Sequence, residues 1–426
     1  MRRHSSQHFP TTRRARRCAH HRGMPGSRPA PGLTARAPGT APRRLVGIDV
    51  ARGIAVLGMF VAHFNPAQLD RGDWLQQLVS GRPAALFAVL AGISVALLSG
   101  GSRPRRGAAL RADRARLATR AVLLFALGLA LTSLGTPVKE ILTAYGVLFL
   151  LAIPLLAVPP LILGCAGAAL AVLGPIASFF LRSTVITGSE PGATPAFEDF
   201  LTGDGSVRVM EMLLVTGVYP VLTWLPFVLV GLSIGRLDLR STAIRLRLLV
   251  VGSALAVLAH GVSWLLLNPL GGYARIAATL GTNPEHARDV ATTTVGTVPT
   301  GDAAFLLTTA PHSGAPLEIF AATGAAMALI GAALLLAERF PRTLRPPAAV
   351  GALALTCYAG HVLVIHLIGY EGMVFLLTEW AYLPLLVLIV GTTAAAMAWR
   401  TWLGRGPLER LVHELATGAG KLVRRA

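Results

Sequence analysis

Three ionisable residues, Asp49, Arg52 and His63, interrupt an otherwise apolar run, RLVGIDVARGIAVLGMFVAHF. The guanidinium of Arg52 presents a rigid fork of donors that matches a phosphate or a carboxylate. The imidazole of His63 can take a proton near neutral pH or attack a carbonyl. Asp49, one helical turn before Arg52, is placed to orient it. Arg52 and His63 stand eleven positions apart, which on a helix puts them about 20° apart around the axis and about 16 Å apart along it. Val56 and Met59 complete the stripe. An arginine at the centre of a spanning helix costs about 2.5–3.5 kcal/mol on insertion scales, so such a stripe turns toward a bundle interior or a watery cavity. The plainer alternative makes Asp49 and Arg52 an anchoring pair, with His63 snorkelling at the far end.

The elements that must position this stripe are membrane spans. Of 426 residues, 53% are hydrophobic and 14% charged, and mean hydropathy is +0.61. A soluble domain carries about 25% charged residues. Apolar runs predict ten spans near 45–65, 79–99, 117–134, 141–157, 160–182, 210–235, 247–268, 317–337, 348–370 and 380–399. The expected fold is therefore an all-α membrane protein, a polytopic bundle of about ten transmembrane helices over 45–403. A disordered basic tail at 1–44 precedes it and a basic tail at 404–426 follows.

Loop charge sets the orientation. The 100–116 loop holds Arg103, Arg105, Arg106, Arg111, Arg114 and Arg116 against Asp113 alone, and arginines also gather at 236–247 and 338–347. The alternate loops lack this excess: 183–209 carries Glu190, Glu198, Asp199 and Asp204 against Arg208. By the positive-inside rule both termini and the basic loops are expected in the cytosol, with the chain multi-pass in the plasma membrane. The lipid bilayer also accounts for the net charge of +19, so no nucleic-acid partner is expected. Residues 1–44, with eleven arginines, six prolines and no acid, cannot build a core. They should be dispensable, and Met24 is an alternative start. Cys18, Cys165 and Cys357 have neither disulfide nor metal-ligand spacing, and no metal is expected.

Further polar residues fall on the outer half once this topology is drawn: Arg82, Tyr145, Tyr219, His312 and His366. They are the expected acceptor side. Taken singly, each also reads as an interfacial, snorkelling or helix-bonding side chain. On the cytosolic side, Arg52 and Arg120 could hold the phosphates of a nucleotide or of coenzyme A. No P-loop, dinucleotide fingerprint, HExxH, GxSxG or CxxC pattern occurs.

The opening run resembles the first span of the heparan-alpha-glucosaminide N-acetyltransferase catalytic-domain family, with Asp-x-x-Arg-Gly its most specific piece. SGRPAALFAVLAGISVAL resembles the second span of bacterial members. ILTAYGVLFLLAIPLL, TGVYPVLTWLPFVLVGLSIGRLDL, PHSGAPLEIFAATGAA, VGALALTCYAGHVLV and RGPLERL resemble the YeiB-like membrane proteins allied to it. The resemblance implies a transmembrane acyltransferase that takes an acyl group from cytosolic acetyl-CoA or another acyl-CoA and delivers it to a glycan or lipid outside. In the related acyltransferase-3 group the first span carries Arg, ten residues, then His, and Arg52 and His63 match that spacing. The glucosaminide acetyltransferases place their histidine after the first span. This chain has none between Phe64 and His260, which leaves His63. His63, Arg52 and Asp49 are thus the expected catalytic set, His63 as base or acyl carrier. Two lysines against thirty-seven arginines point to a GC-rich bacterial genome and a cell-envelope acceptor rather than heparan. Two other classes fit the same stripe: a transporter or flippase using Asp49, Arg52 and His63 as a relay, and a non-catalytic scaffold.

Overall fold

The computed structural model describes residues 44–64, 79–186 and 192–425. The 1–44 tail, apart from Arg44, lies outside them, as do Cys18 and Met24. Every regular element in the described chain is helical, and seven helices are long and apolar enough to cross a membrane. They are α1 (Val46–His63), α3 (Gly107–Thr132), α5 (Pro160–Thr184), α8 (Thr242–Leu267), α11 (Pro316–Arg339), α13 (Ala354–Trp380) and α14 (Leu383–Trp402). Two shorter apolar helices, α2 (Arg82–Leu98) and α4 (Leu142–Ala152), occupy two more of the expected spans. One more expected span is bent: α6 (Gly205–Glu211) runs through a π turn at Met212–Thr216, and α7 (Val221–Gly235) leaves at 55°, which brings the candidate spans among the described residues to eight rather than the ten expected. The protein is a polytopic helical membrane protein.

Helix α1 is the hub. It packs against α2, α11, α13 and the short α12 (Arg345–Ala352). Contact with α12 is backbone to backbone: a Cβ on Gly53 would collide with the carbonyl of Pro347, and one on Gly351 with that of Asp49. Small residues let helices approach this closely where lipid supplies no hydrophobic force between them. The same device joins α2 to α7 through Gly92 and Gly231, and α8 to α11 through Gly252 and Gly324.

The arginine-rich end is tied by charge. Asp113 is fully buried and accepts from Arg105 at 2.6 and 3.0 Å and from Arg116 at 3.0 Å. The buried guanidinium of Arg236 donates to the carbonyls of Ala96, Gly101 and Leu156 and to Ser99 Oγ, tying the end of α2 and the turn after it to the segment before α5. The segment expected as a C-terminal tail is instead a helix, α15 (Pro407–Arg425), lying along α3. Its Glu409 accepts from the Leu355 and Thr356 amides at 2.7 and 3.0 Å, capping α13.

At the opposite end, the 269–316 stretch between two of the expected spans carries α9 (Gly272–Leu280) and α10 (Pro284–Thr293). Asn283 caps α10, its side chain accepting from His286 N at 2.8 Å, and Pro284 sets the first-turn φ. Helix α13 continues through the expected 371–379 loop, kinking at Gly369 (φ 73°).

Candidate functional site

The histidine that ends α1 meets one on α13. His63 Nδ1 lies 3.0 Å from His361 Nε2, and the two rings stack at 5.3 Å and 4°. His361 Nδ1 also contacts the carbonyl of Tyr358, one turn earlier. A carbonyl can only accept, so Nδ1 of His361 carries the proton and its Nε2 carries a lone pair. With both rings neutral, His63 must then donate through Nδ1. Its Nε2 is left with a free lone pair, the form a general base needs. Phe60, 4.8 Å from the His361 ring, and Tyr358, at 5.1 Å, wall the pair.

His63 borders a cavity of about 1040 Å³ at the end opposite the arginine-rich loops. Several elements besides α1 build it. Arg82 enters from the start of α2, Lys139 from the turn before α4, Tyr219 from the break in the bent span, and His312 from the turn before α11. Tyr219 is held there because its hydroxyl donates to the Lys139 carbonyl at 3.0 Å, while its ring meets Trp224 edge-on at 4.8 Å. Unwound backbone at this depth is tolerated where it lines a cavity. His312 has φ 59°, a left-handed conformation uncommon outside glycine and Asn, Asp or His. Such outliers cluster at sites where geometry outranks backbone comfort. The conformation brings the ring within 5.7 Å of Tyr219 and 6.0 Å of Trp224. Its Nδ1 is buried with no hydrogen-bond partner among the described residues. Burial pushes the His312 imidazole down to about 4, so it is neutral at physiological pH. A recess of about 30 Å³ extends the cavity past His63 and His312 to Tyr358, whose hydroxyl is buried without a partner in the described chain.

Two of the sequence-predicted residues stand elsewhere. Tyr145 is core: its ring stacks on Phe87 at 5.8 Å and its hydroxyl donates to Ala84 O at 3.3 Å. His366 is exposed and donates through Nδ1 to Leu134 O at 2.9 Å, away from the cavity. His361 and Tyr358 are not among the residues the sequence singles out. Their signal is an ionisable group in the middle of an apolar span, the same one that marked His63.

At the other end of the stripe, Arg52 is engaged by protein. It donates to Asp49 at 3.2 Å, to Ser94 Oγ at 2.8 Å and to Gly351 O at 3.4 Å, stitching α1 to α2 and α12. Val56 and Met59, 0% and 4% exposed, fill the stripe between Arg52 and His63. The charge of Arg52 is felt at Arg120, whose Nε is buried and unpartnered among the described residues. Arg116, Arg120 and Arg405 surround His413 of α15, whose pKa burial and these three charges hold below its usual value. An anion at this end would meet several guanidinium groups at once. Among the described residues, no group of three or more His, Cys, Asp or Glu is placed to hold a metal ion.

A helical membrane bundle carries His63 on the wall of an open cavity with His361 packed behind it, and gathers arginines at its other end. A family model described as heparan-alpha-glucosaminide N-acetyltransferase, catalytic, matches residues 44–263, more than half the chain, and the protein belongs to that family. A second model, described as a protein of unknown function (DUF418), matches residues 290–419. No curated protein matches the chain. The site draws on both matched regions: His63, Arg82 and Tyr219 come from the first, His312, Tyr358 and His361 from the second.

Proposed function

We propose that the protein moves an acyl group, acetyl by its family, from cytosolic acyl-CoA to a hydroxyl or amine of a cell-envelope glycan or lipid on the outer side of the plasma membrane. The observation that carries this reading is His63, set at the cavity wall with Nε2 free and Nδ1 engaged by His361. His63 Nε2 takes the proton of the acceptor O–H or N–H as that atom attacks the thioester carbonyl. The C–S bond breaks, and the coenzyme A sulfur leaves with the proton. One ester or amide and one free thiol result. Acetyl-CoA or another acyl-CoA is thus a co-substrate. Arg120, with Arg116, Arg405 and Arg52 near it, would meet its phosphates. Asp49 orients Arg52. Arg82, Tyr219 and His312 form the acceptor side, without Tyr145 and His366. Val56 and Met59 close the stripe, so the donor's thioester reaches His63 only when this packing parts.

One feature favours a second reading. The span broken at Tyr219 is of the kind transporters use at their substrate sites, and a transporter or flippase would use the histidine pair as a proton relay. Detergent solution separates the two. Purified protein given acetyl-CoA and saccharide acceptors should release free thiol, and His63→Ala should lower that rate by about 10²–10⁴-fold while inserting and migrating normally. A transporter releases no thiol without a membrane. Undiminished turnover by His63→Ala would remove His63 from the chemistry.

A further inference from the structure

Helix α14 ends at Trp402 and α15 begins at Pro407, so the chain turns within 403–406 as it leaves its last span. Gly404, at φ 79°, makes the left-handed turn, and the Trp399 indole steadies it by donating to Arg405 O at 3.0 Å. Tryptophans gather at membrane–water boundaries, and Trp402 is exposed. Two further points hold α15 at that level. Glu409 accepts from the Leu355 and Thr356 amides in the first turn of α13. Gly420 lies so close to the start of α3 that a Cβ there would meet the Arg116 side chain and the Ala112 carbonyl. A helix of 19 residues, about 28 Å long, is thus laid across the arginine-rich end of the bundle instead of projecting from it.

The sides of α15 differ in chemistry. Ala416 and Gly420 are buried toward α3. Leu411, Leu415 and Leu422, spaced by four and then seven residues, fall within about 40° of one another around the axis, roughly a third of a turn from Ala416. They are 50%, 46% and 69% exposed, which leaves a leucine stripe uncovered by the described chain. Lys421 and Arg425 flank that stripe on the side away from Ala416, with Arg424 beside them, and all three are exposed. An apolar stripe edged by basic residues, on a helix fixed at a membrane boundary, suits the plane where acyl chains meet headgroups.

We infer that α15 is a lipid-binding helix: Leu411, Leu415 and Leu422 enter the acyl boundary of the leaflet at the arginine-rich end, and Lys421, Arg424 and Arg425 hold the phosphates of anionic phospholipids. The basic residues select the headgroup charge. The leucines select a bilayer over dissolved phosphate, because only a bilayer takes their apolar surface out of water. The assignment stands apart from acyl transfer, since it uses no group of the His63 cavity.

Fluorescence quenching on the full-length protein in vesicles of phosphatidylcholine mixed with phosphatidylglycerol tests it. An environment-sensitive dye is placed on Leu415→Cys or, on the polar side, Glu414→Cys, in a background without Cys18, Cys165 and Cys357. The Leu415→Cys dye should be quenched by nitroxides on acyl chains and shielded from iodide, and the Glu414→Cys dye should be open to iodide. Nitroxide-labelled phosphatidylglycerol should be enriched beside the Leu415→Cys dye at least about fivefold over labelled phosphatidylcholine, the factor that one basic residue near a charged surface supplies. Lys421→Gln, Arg424→Gln and Arg425→Gln combined should bring the two lipids level while the dye stays immersed. Excess inorganic phosphate should leave the preference in place. A Leu415→Cys dye open to iodide overturns the inference, as do equal quenching by both lipids, a preference abolished by phosphate, or a preference undiminished in the combined variant. A dye shielded from iodide yet untouched by acyl-chain nitroxides also overturns it, placing protein, a second copy included, over the stripe.

Discussion

His63 on the first span and His361 on α13 share one proton-bearing contact of 3.0 Å, and the Tyr358 carbonyl behind His361 decides which nitrogen of His63 stays free. The pair is an imidazole oriented by a second imidazole, in the place where a carboxylate orients the base of many hydrolases.

His361 is therefore a positioning residue. His361→Leu should lower acyl transfer by about 10²-fold, since His63 then loses the bond that fixes its tautomer. His361→Gln, whose amide can accept from His63 Nδ1–H, should recover much of the rate, and KM for acyl-CoA should stay constant in both. Carbethoxylation of His63 without substrate should change in parallel. Equal defects in the Leu and Gln proteins would reduce His361 to packing.

The Asp49–Arg52 pair should show itself in stability. Arg52→Ala removes the 3.2 Å partner of a buried carboxylate and the tie to Ser94. A loss of about 1–3 kcal/mol is expected, visible as a lower Tm in detergent. Arg52→Lys should fall between, since an ammonium cannot reproduce the fork. Unchanged stability with lost turnover would move Arg52 onto the donor.

Acid should loosen the cavity through His312. The folded chain protonates it near 4, whereas the unfolded chain does so near 6.5. Between those values the unfolded state binds more protons, so this contribution to stability is complete above 6.5 and is lost as pH falls toward 4. Melting temperatures at pH 7.5 and pH 5 should differ less in His312→Asn than in the parent.

Orientation can be read by labelling. In a background without Cys18, Cys165 and Cys357, single cysteines at 198–204 or at Thr292 should react with an impermeant reagent on intact cells, and cysteines at 100–116 should not. Reaction at the arginine-rich loop would invert the topology and place the His63 cavity in the cytosol.

Much of this molecule is written in one dimension. Apolar runs of spanning length, alternating loop charge and a stripe stepping by four, three and four residues are local or periodic properties, and they give the helical membrane class, the expected orientation and the shared face of Arg52 and His63. Tertiary structure decided which residues meet that face. His361 and His366 lie on one helix five positions apart, about 140° around its axis, so only one can turn toward α1. The sequence offers both, and His366 lies nearer the outer end of the span. Packing of α13 on α1 chose His361 and left His366 exposed. The same holds for Tyr145, placed in the core by Phe87, and for Lys139 and Arg288, brought to one wall by elements nearly 150 residues apart. Periodicity fixes which side chains share a helix face. The rotation of one helix against another is set by close contacts such as Gly53 on Pro347, which exist only once the bundle has formed.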